Sequence, residues 1–350
     1  MAACISCSCR QAEGAGEGST VFLATAVSHT LSTLRRVLAQ SGALADEPAV
    51  GVIRLSTGNP ANLLSLVSSQ LTSPESEEVR VVVVDDPSDS ELLGAALRAP
   101  SLAQVAARTR HVDLQRLIGD EDRSFRSVYQ PIVRLDSGGR EVVGYEALLR
   151  ADDGGGQVMP AALFGAAREA GWLHILDRIG RTTALRGAAG WLGDALLFVN
   201  FLPTAIYRPE VCLMTTERAA ADAGIAMDQL VFEVTESERV TDPDHLARVF
   251  EHYRRLGCRV ALDDLGAGYS SLNLLARLQP DVVKLDKEIV QGLPGAGSEA
   301  VVSSVVSMTH RYGGVVIAEC VETAEQASSA AELGVDLGQG WLFGAPEDRR

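Results

Sequence analysis

The feature that most restricts the fold of this chain is a succession of short apolar segments that begins near residue 125. Eight segments have the length and composition of β-strands, and helical stretches separate most of them. They read SVYQPIVRL, EVVGYEALL, ALLFVN, LVFEVTE, RVALDD, DVVKLD, VVIAE and LGQGWLF. Because eight strands alternating with helices are the count of a closed β/α barrel, the sequence predicts that fold.

One intervening helix shows the pattern clearly. Asp242 and Pro243 open it, Gly257 ends it, and the apolar side chains between them recur at helical spacing. Such a stripe covers a sheet. An antiparallel sandwich is the alternative, but connections of this length and period favour parallel crossovers. The short, Gly-bearing link at 136–140 instead predicts that the first two strands are antiparallel.

The chain before this region predicts a separate, smaller domain. VFLATAV, AVGVIRL and VRVVVV read as three strands of an α/β unit that ends near Ala107. We therefore divide the chain into a Cys- and Gly-rich flexible tail at 1–18, a regulatory or sensory domain at 19–115 and a barrel at 116–350. Asp85 and Asp86 follow the last of these strands. We interpret them as residues that start a turn and not as phosphate-accepting aspartates.

The composition excludes several classes of partner. A formal net charge of -15 argues against binding to the backbone of DNA or RNA and to an anionic membrane. No run approaches the roughly 20 apolar residues that span a bilayer, and the first nine residues carry no Lys or Arg, so we expect a cytoplasmic protein. Cys4, Cys7 and Cys9 leave two alternatives, which are a metal or redox role and a disordered tail.

Polar residues recur at or near the carboxyl ends of the predicted strands: Glu146, Asn200, Glu233, Asp263, Lys284 and Glu319. In a barrel these ends converge on one face. Each residue alone is more often a solvated loop residue, but the acidic groups and the amide together supply oxygen ligands suited to Mg²⁺ or Mn²⁺. Two such ions, roughly 3.5 to 4 Å apart, would clamp a displacement at phosphorus. A carboxylate shared by both ions would bridge them, and Asp263 or the adjacent Asp264 is the candidate for that role.

From about residue 125 to 346 the chain resembles the EAL domains, a family of cyclic di-GMP phosphodiesterases. Glu146, Ala147 and Leu148 form the signature tripeptide, and Leu149 and Arg150 continue it. The other matching motifs, in order, are VNFLP, EVTES, DDLGAGYSS, VKLD, AECVET and GQGWLFG. The resemblance implies a TIM-like barrel with one antiparallel strand, which hydrolyses cyclic di-GMP to linear pGpG with two Mg²⁺ or Mn²⁺ ions. It also implies a homodimer formed through the barrel.

The resemblance also implies roles for individual residues. The first metal would be held by Glu146, Asn200, Glu233 and Asp263, and the second by Asp263, Asp264 and Glu319. Lys284 would orient the attacking water, with Glu319 as a proton acceptor and Glu146 also catalytic. Arg150 and Leu148 would bind substrate, and Gln339 would act near the water network. Glu236 would anchor the loop that contains Gly266 and Gly268.

Two residues depart from the family pattern, and two other functions stay open. Leu265 replaces a common Phe and keeps an apolar anchor, whereas Cys320 replaces a common Gly and could crowd the site or make it sensitive to oxidation. The alternative function is a receptor that binds cyclic di-GMP without cutting it and signals through the N-terminal domain. A third possibility makes the N-terminal domain carry the principal function, with the barrel as a scaffold for partner proteins.

Overall fold

The computed structural model describes residues 19–84, 96, 99–135, 141–206, 208–235, 242–265 and 271–349. These residues form two compact units. One holds the described residues up to Asp120 together with Val158–Leu176, and the other holds Glu121–Gln157 and the described residues from Asp177 onward. Among the described residues, no helix combines the length and apolar composition needed to cross a membrane.

The first unit contains an antiparallel sheet packed against helices. Its elements are β1 (Ser19–Ala24), α1 (Ser28–Gln40), β2 (Ala45–Ala49), β3 (Val52–Thr57), α2 (Pro60–Ser69), α3 (Ser73–Glu78) and β4 (Arg80–Val84). The strand order is β2-β3-β1-β4, and every neighbouring pair is antiparallel. Alternate residues of β1, β3 and β4 point to one apolar core with α1 and α2.

The number of strands in this sheet differs from the prediction. AVGVIRL spans the end of β2, a turn at Val50 and Gly51, and most of β3, so the sheet has four strands and not three. Gly51 has φ +77°, and a Cβ there would lie 2.4 Å from the carbonyl oxygen of Thr25, so this turn requires glycine. Every residue of β2 is exposed, which explains why the strand shows no alternation in the sequence.

Three further helices belong to the first unit: α4 (Leu102–Arg110), α5 (Val112–Gly119) and α7 (Pro160–Ala170). In sequence, α7 lies inside the region predicted to be barrel. It packs against α4, where Arg108 Nε donates to the carbonyl oxygen of Ala170 at 3.0 Å and the Arg108 guanidinium lies 5.7 Å from the Trp172 ring centroid. His111 Nε2 lies 2.9 Å from a carboxylate oxygen of Glu169. Polar and aromatic contacts therefore hold α7 to α4.

The second unit is organised by the predicted eight-stranded barrel. Its strands are β5 (Phe125–Arg134), β6 (Val142–Asp152), β8 (Leu196–Asn200), β9 (Leu230–Thr235), β10 (Arg259–Leu265), β11 (Val282–Leu285), β12 (Val315–Ala318) and β13 (Leu337–Gln339), with a short extra strand β7 (Gln157–Val158) beside β6. Pairing of β5 with β6 closes the barrel. β5 is antiparallel to both neighbours, as predicted, and the other neighbouring barrel strands are parallel.

The connections are mainly helical: α6 (Glu121–Ser124), α8 (Leu173–Ala188), α9 (Pro209–Cys212), α10 (Met214–Ala223), α11 (Pro243–Arg255), α12 (Ser271–Leu278), α13 (Lys287–Gln291), α14 (Ala296–His310) and α15 (Ala324–Glu332). α11 is the helix predicted from its apolar stripe. The Asp242 side chain accepts a hydrogen bond from the backbone N–H of His245, and Leu246, Val249, Phe250 and Tyr253 are buried.

One layer of apolar side chains fills the lower barrel interior. Seven strands each contribute one buried member: Ile132, Phe198, Val231, Ala261, Val282, Ile317 and Leu337. β6 contributes Gly144, where a Cβ would lie 2.9 Å from the carbonyl oxygen of Leu196 and 3.0 Å from Cε2 of Phe198. The phenyl ring of Phe198 therefore occupies the space that a side chain at 144 would need.

We expect Gly144→Ala to lower the free energy of unfolding by about 1 to 3 kcal/mol, because the added methyl group overpacks this layer. Gly180→Ala in α8 is the control, since its Cβ would meet only Leu149 Cδ2 at 3.8 Å. Alanine should stabilise that helix position by about 0.5 to 1 kcal/mol. Urea unfolding of both variants measures the difference, and equal effects would contradict the crowding at 144.

Candidate active site and metal centre

A layer of polar side chains lies directly above the apolar layer, because side chains on one face of a strand recur every second residue. Each barrel strand contributes the residue two positions nearer the carboxyl ends of the parallel strands. The eight members are Gln130, Glu146, Asn200, Glu233, Asp263, Lys284, Glu319 and Gln339. Six of them are the strand-end residues singled out in the sequence, and Gln339 comes from the family resemblance.

Lys284 lies at the centre of this layer and contacts four carboxylates. Its Nζ is 2.7 Å from Glu319 Oε1, 3.2 Å from Glu233 Oε1, 3.3 Å from Asp263 Oδ1 and 3.6 Å from Glu146 Oε2. The Lys284 and Glu233 side chains are almost completely buried. The structure thus brings together acidic residues from four strands around one ammonium group, which offsets part of their mutual repulsion.

Amide groups fix the Glu146 carboxylate. Asn200 Nδ2 donates to Glu146 Oε1 at 2.9 Å, and Gln339 Nε2 donates to Glu146 Oε2 at 2.6 Å. Gln339 Nε2 also contacts Gln130 Oε1 at 3.1 Å. Sequence reasoning missed Gln130, although a polar residue inside the apolar run SVYQPIVRL is the signal that could have found it. Because Asn200 donates through its nitrogen, its amide oxygen remains as a potential ligand.

The charges in this layer shift one another's pKa values. Burial, reinforced by neighbouring carboxylates, raises the pKa of Glu233 and Glu319 well above the usual range. Burial alone would also raise the pKa of Glu146, but Lys284 and the amide donors lower it. The surrounding carboxylates raise the pKa of Lys284 despite its burial. Burial and the charge of Asp263 raise the pKa of Asp264 to about 6. Four carboxylates thus contact a single positively charged group, Lys284, which cannot balance all of them.

The donor atoms fit a hard divalent cation. Oxygen atoms of Asp263, Asp264 and Glu319 lie within 4.8 Å of one another. Among the described residues, Gln339 Oε1 is buried without a hydrogen-bond partner, and Glu233 Oε1 has only its ion pair with Lys284. Carboxylate and amide oxygens are ligands that Mg²⁺, Mn²⁺ and Ca²⁺ prefer. A divalent cation would supply the positive charge that balances these carboxylates and would be coordinated by their oxygen atoms.

Two of the strand ends turn through left-handed backbone. Asp264 has φ +57° and Cys320 has φ +52°, a region that costs most non-glycine residues energy. Cys320 is exposed and directly follows Glu319. The positive φ of Cys320 explains why glycine is common at this position in the family pattern. Leu265 is 1% exposed and is therefore an apolar anchor at the end of β10, as expected.

A buried ion pair holds the turn that follows Asn200. Asp177 Oδ1 accepts from the backbone N–H of Leu202 at 2.7 Å, and its Oδ2 accepts from Arg181 Nε at 2.9 Å. Arg181 also donates to Thr216. One residue earlier, the backbone N–H of Phe201 donates to the carbonyl oxygen of Glu233 at 2.9 Å. The backbone after Asn200 is therefore fixed at two successive residues.

The remaining predicted residues fall into two groups. Leu148 and Arg150 continue the alternation of β6 beyond Glu146, and Arg150 Nη1 donates to the carbonyl oxygen of Leu149 at 2.9 Å. Glu236, Gly266, Gly268 and the three cysteines near the N-terminus lie outside the described residues. Their predicted roles stay predictions.

The closed barrel and the acidic layer at the carboxyl ends of its strands define a β/α-barrel protein with a candidate divalent-metal site. The chain belongs to the EAL domain family, whose model matches residues 111–346. This result confirms the resemblance found in the motifs.

Similar proteins agree with this assignment. The cyclic di-GMP phosphodiesterase RocR of Pseudomonas aeruginosa is 30% identical over 254 residues, which cover 71% of this chain and 63% of RocR. A standalone EAL protein from Vibrio cholerae, in its c-di-GMP-bound form, is 32% identical to this chain, with a TM-score of 0.58. The match covers 65% of this chain and 93% of the Vibrio protein. Klebsiella pneumoniae BlrP1, in a calcium and c-di-GMP complex, is 25% identical to this chain, with a TM-score of 0.58. The match covers 94% of this chain and 96% of the BlrP1 chain. The chain spans only about 30% of the length of two other relatives.

We expect Mn²⁺ to bind more tightly as the pH rises from about 5 to 8, because the metal must displace protons from carboxyl groups with raised pKa values. Asp264, with a pKa of about 6, loses its proton within this range. Isothermal titration calorimetry in buffers of different ionisation enthalpy would count the released protons. An affinity that stays constant with pH, with no proton release, would contradict this expectation.

We expect Cys320→Gly to raise the free energy of unfolding by about 1 kcal/mol, because glycine adopts positive φ without steric cost. Cys320→Ala is the matched control, since it removes the thiol but keeps the Cβ. Thermal unfolding compares the two variants. A gain in both, or in neither, would show that the backbone at 320 stores no strain.

Proposed function

We propose that this protein hydrolyses cyclic di-GMP to linear pGpG with two divalent ions, Mg²⁺ or Mn²⁺. The observation that carries the proposal is the contact of Lys284 with four carboxylates from four other strands, in one layer at the carboxyl ends of the barrel. Active sites of β/α barrels occupy this face. RocR, a relative of this chain, is a cyclic di-GMP phosphodiesterase.

The ligand sets follow the family pattern and the observed geometry. Glu146, Asn200, Glu233 and Asp263 would hold the first ion, and Asp263, Asp264 and Glu319 would hold the second. The clustering of the second set supports this division. When bound, a pair of divalent ions supplies Lewis acidity, which stabilises charge on the phosphate oxygens and lowers the pKa of the attacking water.

The chain's own residues position the water and the substrate. Lys284 orients the water, and Glu319, whose pKa is raised by burial, takes its proton. The water oxygen then forms a bond to phosphorus as one ester P–O bond breaks, and the released sugar oxygen gains a proton. Arg150 binds a phosphate group, and Leu148 packs against the substrate. Gln339 holds the Glu146 carboxylate at 2.6 Å.

We extend the proposal to the whole chain. The N-terminal domain would regulate hydrolysis, the barrel would form a homodimer, and the protein would act in the cytoplasm without a nucleic-acid partner. The match to BlrP1 covers 94% of this chain and therefore includes residues of both regions. The net charge of -15 favours a small anionic ligand bound through metal ions and arginine over a nucleic-acid backbone.

We expect Glu146→Gln to lower the turnover of cyclic di-GMP with Mg²⁺ by about 100-fold or more, because the variant loses a ligand and a catalytic charge. Chromatographic separation of cyclic di-GMP and pGpG measures the rate. Glu141→Gln is the control, since Glu141 pairs with Arg134 and its side chain is 62% exposed to solvent. Tight, metal-independent binding by the wild type without any pGpG would instead identify a receptor.

A further inference from the structure

Two arginines lie opposite each other on the strands that close the barrel. β5 and β6 keep an unbroken antiparallel register from Phe125 to Ile132, in which Gln130 faces Glu146, Val128 faces Leu148 and Arg126 faces Arg150. Directly paired side chains project to the same face, and residues two apart share it. Because Gln130 and Glu146 meet Gln339 inside the barrel, the arginine pair belongs to the same inner face, nearer its mouth.

Like charges opposite each other on a sheet repel unless an anion shares them. The proximity of Arg126 lowers the pKa of Arg150, in addition to the larger effect of burial. Arg126 has an acidic neighbour in Asp348, but its Nε is 3.8 Å from the carboxylate, which is beyond hydrogen-bond distance. Arg150 Nη1 donates to a backbone carbonyl. Both guanidinium groups thus retain donors for an anionic ligand.

We propose that Arg126, together with Arg150, binds the phosphate of the cyclic dinucleotide that is not being cut. This inference rests on the proposed substrate but not on its hydrolysis. Arg150 lies four positions beyond Glu146 on β6, so the Cα atoms of the two residues are about 13 Å apart along the strand. The arginine pair therefore lies away from the acidic layer, as the second phosphate of a two-phosphate ring must. Planar guanidinium groups bind phosphate oxygens through two hydrogen bonds.

Arg126→Gln tests this role. Its affinity for cyclic di-GMP, measured by calorimetry with Ca²⁺ to prevent turnover, should fall about 10- to 100-fold. With Mg²⁺, KM should rise by a similar factor while kcat changes little. Hydrolysis of bis(p-nitrophenyl) phosphate, which has a single phosphodiester, should be unaffected. Arg134→Gln, at the other end of β5, is the matched control and should bind as the wild type does.

Asp348→Asn separates phosphate binding from a structural ion pair. If Arg126 served only to pair with Asp348, this variant would weaken binding as Arg126→Gln does. Under the proposal, removing the competing carboxylate leaves affinity unchanged or raises it. Arg126→Lys should recover part of the lost affinity, because it restores the charge but not the planar donor pair.

The proposal is overturned if Arg126→Gln binds cyclic di-GMP as tightly as the wild type, or if it slows the small substrate equally. Wild-type binding without hydrolysis would refute the proposed activity but leave the phosphate contact testable by calorimetry. Wild-type protein that neither binds nor cleaves cyclic di-GMP would refute both.

Discussion

The candidate site depends on the attraction between one buried ammonium group and the carboxylates around it. Removing several charges from water costs several kcal/mol per ion, and only close pairing and hydrogen bonds offset that cost. Lys284 supplies one positive charge to four contacting acids, and amide groups on three other strands complete the network around Glu146. The balance is still negative. That deficit, held by the strands of the barrel, would favour the binding of a divalent cation.

The apolar layer determines where these charges meet. Seven strands place a buried apolar residue in this layer and β6 places Gly144, and each strand carries a polar residue two positions nearer the carboxyl ends of the parallel strands. The core thus sets the strand registers that align the site. A one-residue slip in any strand would turn its polar member outward. Phe198, beside the bare backbone of Gly144, shows how tightly this layer is filled. The buried Asp177–Arg181 pair adds local support at the turn after Asn200.

Most of the barrel could be predicted because strand and helix periodicities differ and because parallel strands direct their carboxyl ends to one face. Gln130 was missed for a topological reason, since β5 runs antiparallel and places its polar residue in mid-strand and not at a carboxyl end. β2 was missed because an exposed edge strand has no apolar alternation. The central position of Lys284 was also beyond sequence reasoning, because strand order shows which residues converge but not which side chain the others surround.

The location of α7 has a consequence for how the chain can be divided. The polypeptide passes between the two compact units near residues 120, 157 and 176, so three covalent crossings join them. A cut near residue 120 would leave Val158–Leu176, which belongs to the first unit, attached to the barrel strands. Deleting the first 115 residues would remove α4 and uncover the side of α7 and Trp172 that α4 packs against. The segment Val158–Leu176, which follows the strand of Arg150, thus belongs to the first unit, so the two units alternate along the sequence and are not two consecutive blocks.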